Sequence, residues 1–579
     1  MNSHYLRLVR SAAVTTTAAV LLAACGGGGG GGGSQPPPTT VTISGRITFD
    51  RIPFDMTFGN GLNPAATFQA PAREVTVQAI ASAGGTVLAT GTTDTSGNYS
   101  LSVPANTDLF IRARAEMIKT GTAPTWNFSV RNNTNSDALY AVDGAAATSG
   151  TANSTRDLNA PSGFGAINYT GERAAAPFAI LDTVFKAKEL VLTATPAAAF
   201  PALSLFWSED NRPTAGRFCP NDGDIGTSSY IVFTGNETDQ CSPPATNPDG
   251  IYILGDFSVG DTDEFDESVL AHEFGHYVED QFGRSDSIGG EHGGSTTLVD
   301  LRVAFGEGWG NAFSSMVRND PIYRDSFGGV DQDFQLDLES DDPNNEGWFS
   351  EASVGEILWD LFDPANEPGD GIALGFPPIY AAITSSHVVD TDALTSIYPF
   401  IVALRTTPGI SQADLNDLLD GENIHVVDDF GATETNDGSN GADPEILPIY
   451  KTISLNTPKT VCSRSPFGNT DTNKLGNRVF LRFDNNASRL VSIQADGTTD
   501  GAGTTFATDP DIFVLSRGEL VQFGTSAPAG PAPHNTAGHE AIAAFQLPAG
   551  TFIIEVYDFE LDLVAGTQPR CMDVVVSGN

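Results

Sequence analysis

Basic side chains are scarce in this 579-residue chain: 29 Lys and Arg stand against 72 Asp and Glu, a formal net charge of −43. A surface this negative repels phosphate backbones and anionic membrane faces, which argues against nucleic acid as a partner. It suits solubility outside the cell and cation binding, and most of these carboxylates read as a solvated acidic face. Histidine is also rare, at eight, and the five cysteines are an odd number for an exported protein. No internal repeat stands out. The length exceeds what one compact core supports, so about two to four domains are expected.

The N-terminus reads as an address. Arg7 and Arg10 precede the apolar "SAAVTTTAAVLL", too short to span a bilayer, so residues 1–24 are expected to be a signal peptide. "LLAAC" resembles a bacterial lipobox, which implies lipidation of Cys25 and membrane contact only through that anchor. Gly26, in place of Asp, resembles lipoproteins sorted to the outer membrane in hosts that have one. Residues 25–40, rich in Gly and then Pro, form a flexible tether running into a stiffer spacer. Lipidation of Cys25 accounts for the odd cysteine. The other four fall into two local pairs, Cys219 with Cys241 and Cys462 with Cys571, expected as disulfides.

From 41 to 130 short alternating runs such as "VTISGRITF" and "GNYSLSVP" are separated by turn residues and predict an antiparallel β-sandwich. "TTDTSGNYSLSVPA" resembles carboxypeptidase-regulatory-like modules, which implies a structural role. Residues 131–170 read as a linker. Within 171–455, strand-like runs precede a series of helical ones, an α+β arrangement. Residues 456–579 return to alternating strands, and "DPDIFVL…FQLPAGTFIIEVYD" resembles bacterial pre-peptidase C-terminal domains.

The chemistry concentrates in "SVLAHEFGHYVEDQF", residues 268–282. Four residues apart on a helix, His272 and His276 present their imidazoles to one point, and Glu273 flanks it. Two imidazoles as ligands and a glutamate to take a proton from a metal-held water form the HExxH zinc pattern. Asp or Thr N-caps in "DTDEFDESVL" and packing positions at Leu270, Phe274 and Val278 support the helix. Two core histidines beside a glutamate is the bland alternative, and it would bury an acid without a partner.

A catalytic site needs a third ligand and an open position. Glu279 and Phe282 stand where a metzincin would need Gly and His, which excludes that class. "LRVAFGEGWGNAFSSM" offers Glu307, surrounded by Gly306, Gly308 and Gly310 in a helical pattern. Each glycine costs about 1 kcal/mol relative to Ala, which makes sense if this segment must approach the zinc helix closely. Glu291, His292 and Asp300 are the rival ligands. Here the chain resembles the gluzincins, the thermolysin-like metallopeptidases, over roughly residues 200–365.

That resemblance implies an α+β gluzincin-like catalytic domain flanked by two all-β sandwiches, with Zn2+ held by His272, His276 and Glu307 and with Glu273 as general base. It further implies supporting roles for Asp280 and for Asn311, which replaces the family's usual aspartate behind the first histidine. "IYILGDFS" falls where the family has its peptide-binding edge strand. The oxyanion donor is open among Tyr277, Tyr323, His387 and His425. The acidic run holding Asp331, Asp333, Asp337, Glu339, Asp341 and Asp342 reads as a surface loop, with Ca2+ binding as the alternative. The leading expectation is a lipid-anchored zinc endopeptidase acting on peptide or protein, because no aminopeptidase-type GAMEN motif is present. The alternative is a binding or adhesion lipoprotein with structural zinc or none, disfavoured by the intact Glu273.

Overall fold

The computed structural model describes residues 39–579 except 166, 215–216, 234–240, 242–246, 328–331, 341–344, 365–370, 440–442, 499–507, 525–537, 560 and 562–568. The expected signal peptide, Cys25, most of the tether, and Asp331, Asp341 and Asp342 lie outside the described residues.

Along Asn98–Pro104, Tyr99, Leu101 and Val103 are buried while Asn98, Ser100 and Ser102 are exposed, the period-2 alternation of a half-buried strand. This strand pairs antiparallel with Thr40–Arg51, which also pairs with Phe68–Pro71 and, in parallel, with two short strands at 154–160. A second, ten-stranded sheet runs in the order Ser229–Ile231, Gly250–Ile253, Leu203–Trp207, Trp126–Asn132, Asp108–Lys119, Val75–Ala81, Val87–Thr92.

That order corrects the expected fold class. An α+β gluzincin-like catalytic domain flanked by two separate sandwiches does not form; the molecule is a β-rich, multi-sheet assembly. Trp126–Asn132 pairs in parallel with Leu203–Trp207, with Phe128 beside Leu203 and Val130 beside Leu205. Strands on both sides of residues 131–170 therefore belong to one sheet. Helix α1 (Ala176–Ala194) explains why. It is buried nearly all round, from Phe178 to Val191, and its Lys188 reaches back to Glu74 at 2.7 Å. Separating the N-terminal strands would expose both the helix and the sheet face it covers. One hydrophobic cluster accordingly extends from Val41 through α1 and the later helices to Ile553.

Three helices frame the histidines: α2 (Glu267–Phe282), α3 (Leu301–Arg318) and α4 (Glu351–Asp360). The α2–α3 contact is close because glycines face each other. A Cβ on Gly275 would stand 3.4 Å from the Gly310 Cα. Asp300 and Ser350 cap α3 and α4 through their side chains.

The C-terminal region is a two-sheet sandwich with its own apolar interior, from Ile453 to Val576. It is bolted to α3 by Glu555, which is fully buried and receives Arg302 at 2.8 Å and Arg478 from the other side. The Cys219–Cys241 and Cys462–Cys571 disulfides are both formed, the second across register-paired strands. Such bonds belong to proteins of an oxidising, extracellular environment. Among the described residues, no helix is long and apolar enough to cross a membrane.

Candidate metal centre

His272, His276 and Glu307 converge, each offering a ligand atom within 4.8 Å of the others. The His272 and His276 Nε2 atoms stand 2.9 Å apart, and Glu307 Oε2 lies 3.1 Å from the first and 3.4 Å from the second. Their spacing on α2 puts both rings on one face, and α3 brings the carboxylate from opposite. A Cβ on Gly310 would sit 2.7 Å from the His272 ring, so this glycine permits the approach. Gly308 serves a different neighbour: its Cβ would strike Val354 of α4 at 2.6 Å.

Two imidazole nitrogens and a carboxylate oxygen pointing their lone pairs at one another in a buried space repel unless a proton or a metal cation lies among them. The donor set suits zinc, which favours imidazole nitrogen and carboxylate oxygen. His272 Nδ1 lies 2.9 Å from Asn311 Oδ1, so Nδ1 carries the proton and Nε2 keeps its lone pair for the centre. Burial opposes protonation of His276, but Glu307 outweighs it and lifts the imidazole to about 9. Burial likewise opposes ionisation of Glu307, yet His292 and His276 hold it well below the usual carboxylate range. The protons gathered here are those a divalent cation would replace.

Glu273 is buried beside the triad, and burial pushes its carboxyl upward. The Tyr230 backbone N–H donates to its Oε2 at 2.6 Å. Tyr230 O–H donates to Asp280 Oδ2 at 2.8 Å, so Asp280 orients the tyrosine that holds Glu273. These groups line a cleft of about 670 Å³ whose walls include Ser229–Ile231, the 285–294 loop, Tyr323, and Gly518 and Leu520 from the C-terminal sandwich.

The cleft-side strand is not the one expected. Gly250–Ile253 of "IYILGDFS" lies between two neighbours, and Ser229–Ile231 ends the sheet. The unbroken apolar run Ile251–Leu254 was the available signal for a strand buried on both faces, as Gly250–Ile253 is. Tyr230 was missed for the same reason.

Of the rival ligands, His292 stands nearest, its Nε2 3.4 Å from Glu307 Oε2 and its Nδ1 2.7 Å from Glu351 Oε2. Glu291 faces the C-terminal region, its N–H donating to Asp471 and its carbonyl accepting from Asn473 and Lys474. Asp300 is committed to Arg302 and the start of α3. Tyr323 lines the cleft, its ring 5.8 Å from that of His272. Tyr277 donates to the Pro201 carbonyl, His387 pairs with Asp429, and His425 pairs with Glu434. The described part of the acidic run is spent on separate hydrogen bonds: Asp333 accepts from Gly59, Asp337 from Glu339, and Glu339 from Trp359.

No protein-family model matches the chain, and no curated protein matches it. Among solved structures it is similar to the pre-peptidase C-terminal domain of collagenase from Bacillus anthracis, with 12% identity over 22% of this chain and 93% of that one, and a TM-score of 0.15. It is also similar to a 9R-lipoxygenase from Cyanothece PCC8801, with 12% identity over 28% of this chain and 26% of that one, and a TM-score of 0.13. With TM-scores this low, the functional reading draws on the geometry of the cleft.

Proposed function

We propose that this chain is a zinc-dependent peptidase, exported and held at a membrane face by a lipid on Cys25. The observation that carries the reading is the convergence of His272, His276 and Glu307 beside Glu273 in an open cleft. A zinc ion held by the three supplies Lewis acidity, which makes water nucleophilic near neutral pH and polarises a carbonyl.

Glu273 takes the proton of the attacking water and then delivers it to the leaving amine. The Tyr230 N–H holds its carboxylate in place for these two duties, while burial raises its affinity for the proton. His292, fixed by Glu351, supplies an N–H for the oxygen on which charge develops, and Tyr323 stands as a second donor. An extended peptide lies along Ser229–Ile231, the end strand of the sheet, which suits cleavage within a chain.

The test compares zinc-loaded full-length wild type with Glu273→Gln on casein and a peptide library. The variant should bind zinc stoichiometrically and lose roughly 10²–10⁴-fold in kcat. Undiminished cleavage by Glu273→Gln would sink the mechanism. Zinc binding without any cleavage by wild type would favour a binding lipoprotein instead.

A further inference from the structure

A second group of carboxylates converges in the lining of the same cleft. Asp261 and Asp263 come from the loop before α2, and Asp325 comes from the strand Ile322–Phe327. Each offers an oxygen within 4.8 Å of the others. Oxygens bound to one calcium ion at about 2.3–2.6 Å lie no more than about 5 Å apart, so the spacing fits a single ion.

The decisive observation is what these oxygens lack. Asp263 is only 3% exposed, and its Oδ2 accepts from Ser228, but its Oδ1 is buried with no hydrogen-bond partner. Asp261 Oδ1 and Asp325 Oδ1 are buried and unpartnered in the same way. Asp266 adjoins them, fully buried, with Oδ2 taken by Ser326 and Oδ1 unpartnered. Among the described residues, no Lys, Arg or His forms an ion pair with any of the four. The basic group adjacent in sequence is spent elsewhere, since Arg324 pairs with Asp320 at 2.5 Å, and Arg173 pairs with Glu264. Buried carboxylate oxygens that have neither a base nor a donor are costly unless a cation or a proton binds them.

We propose that Asp261, Asp263 and Asp325 form a calcium site that fastens the 260–266 loop to the 322–337 hairpin. An all-oxygen set is hard, which disfavours zinc, and its flexible, chain-distant members suit calcium better than magnesium's rigid octahedron. The loop and the hairpin already touch through an isolated bridge between Asp261 and Phe327. The ion completes that seam, two residues along the strand from Tyr323, and so holds one wall of the cleft in place.

The experiment uses the full-length chain stripped of divalent ions, reloaded with one equivalent of zinc, and titrated with calcium chloride or magnesium chloride. Bound metal is measured by equilibrium dialysis, and Tm is followed in parallel, so the outcome does not depend on peptidase activity. Wild type should take up calcium in preference to magnesium and gain Tm. Asp325→Asn should weaken calcium binding by at least about tenfold. Without calcium this variant should be no less stable than wild type, because it removes one of several facing acids; with calcium it should be the less stable. Asp263→Asn should behave alike, and if it fails to fold, Asp325→Asn and the wild-type titration still decide. No calcium uptake by wild type, or uptake untouched by Asp325→Asn, overturns the proposal.

Discussion

Around residues 261–276 two groups of acids, each completed from later in the chain, meet opposite surroundings. In the middle of α2, Glu273 and the incoming Glu307 sit among imidazoles, and Glu307 is held strongly ionised by His292 and His276 against the cost of burial. On the approach to the same helix, Asp263 and Asp325 are pushed well above the usual carboxylate range, first by burial and then by their acidic neighbours. The difference lies in which donors accompany the carboxylates. Nitrogen and oxygen together suit a zinc ion, whereas oxygen alone suits a harder one.

The comparison breaks first at His292. If this residue serves the reaction and not the metal, His292→Ala should lower kcat by roughly 10²–10³-fold while zinc stoichiometry stays unchanged. Loss of zinc from the variant would instead make His292 a ligand and the nitrogen-rich centre larger than described. Calcium uptake should be indifferent to the change.

A smaller effect is expected at Asn311, which touches His272 and not the ion. Asn311→Ala should weaken zinc binding by about 10–100-fold, because His272 loses the acceptor that fixes its tautomer. Asn311→Asp restores the acceptor and adds charge, so it should bind zinc at least as tightly as wild type. Competition with a chromogenic zinc chelator reads both. Equal affinities for Ala and wild type would show that packing against Gly310 alone orients the ring.

How much of this was readable in the residue order follows from distance along the chain. His272, Glu273 and His276 are one helical turn, so their meeting is local and was legible. Glu307 lies 35 residues from His272 but announced itself through glycine, and Gly310 does lie against the His272 ring. Gly308 misled in part, since it clears Val354. The aspartate cluster was illegible because Asp325 arrives on a hairpin that no local pattern places against residues 261–263. Conversely, the crowded acids near 331–342 drew the eye, yet the described ones accept from separate donors, Asp333 from the distant Gly59. Density in sequence is not convergence in space. The same limit explains the fold. Individual strands were visible from their alternation, but nothing local pairs Trp126–Asn132 with Leu203–Trp207. The C-terminal pairings span as much chain, for example the 109 residues between Cys462 and Cys571, but there one alternating strand follows another, and that sandwich was legible.

One acid at the head of α2 escapes both patterns, and it gives the smallest test. Glu267 accepts from Arg51 at 2.5 Å and from Lys186 at 2.8 Å, joining the first strand and α1 to α2. Burial alone would raise its carboxyl, but Arg51 and Lys186 prevail and bring it to about 2. A carboxyl lowered on folding adds stability that is present above its unfolded value, near 4.5, and is lost as pH falls through about 2. With the side chain 27% exposed, solvent screening trims that contribution to about 1–2 kcal/mol at neutral pH. Glu267→Gln should therefore unfold at lower urea than wild type at pH 7, and the gap should narrow from pH 4.5 downward. The neighbouring aspartates carry the opposite sign, since a raised carboxyl loses stability as pH rises. A gap that widened on acidification would mean that Glu267 belongs with them, and that base pairing does not separate the two ends of this helix.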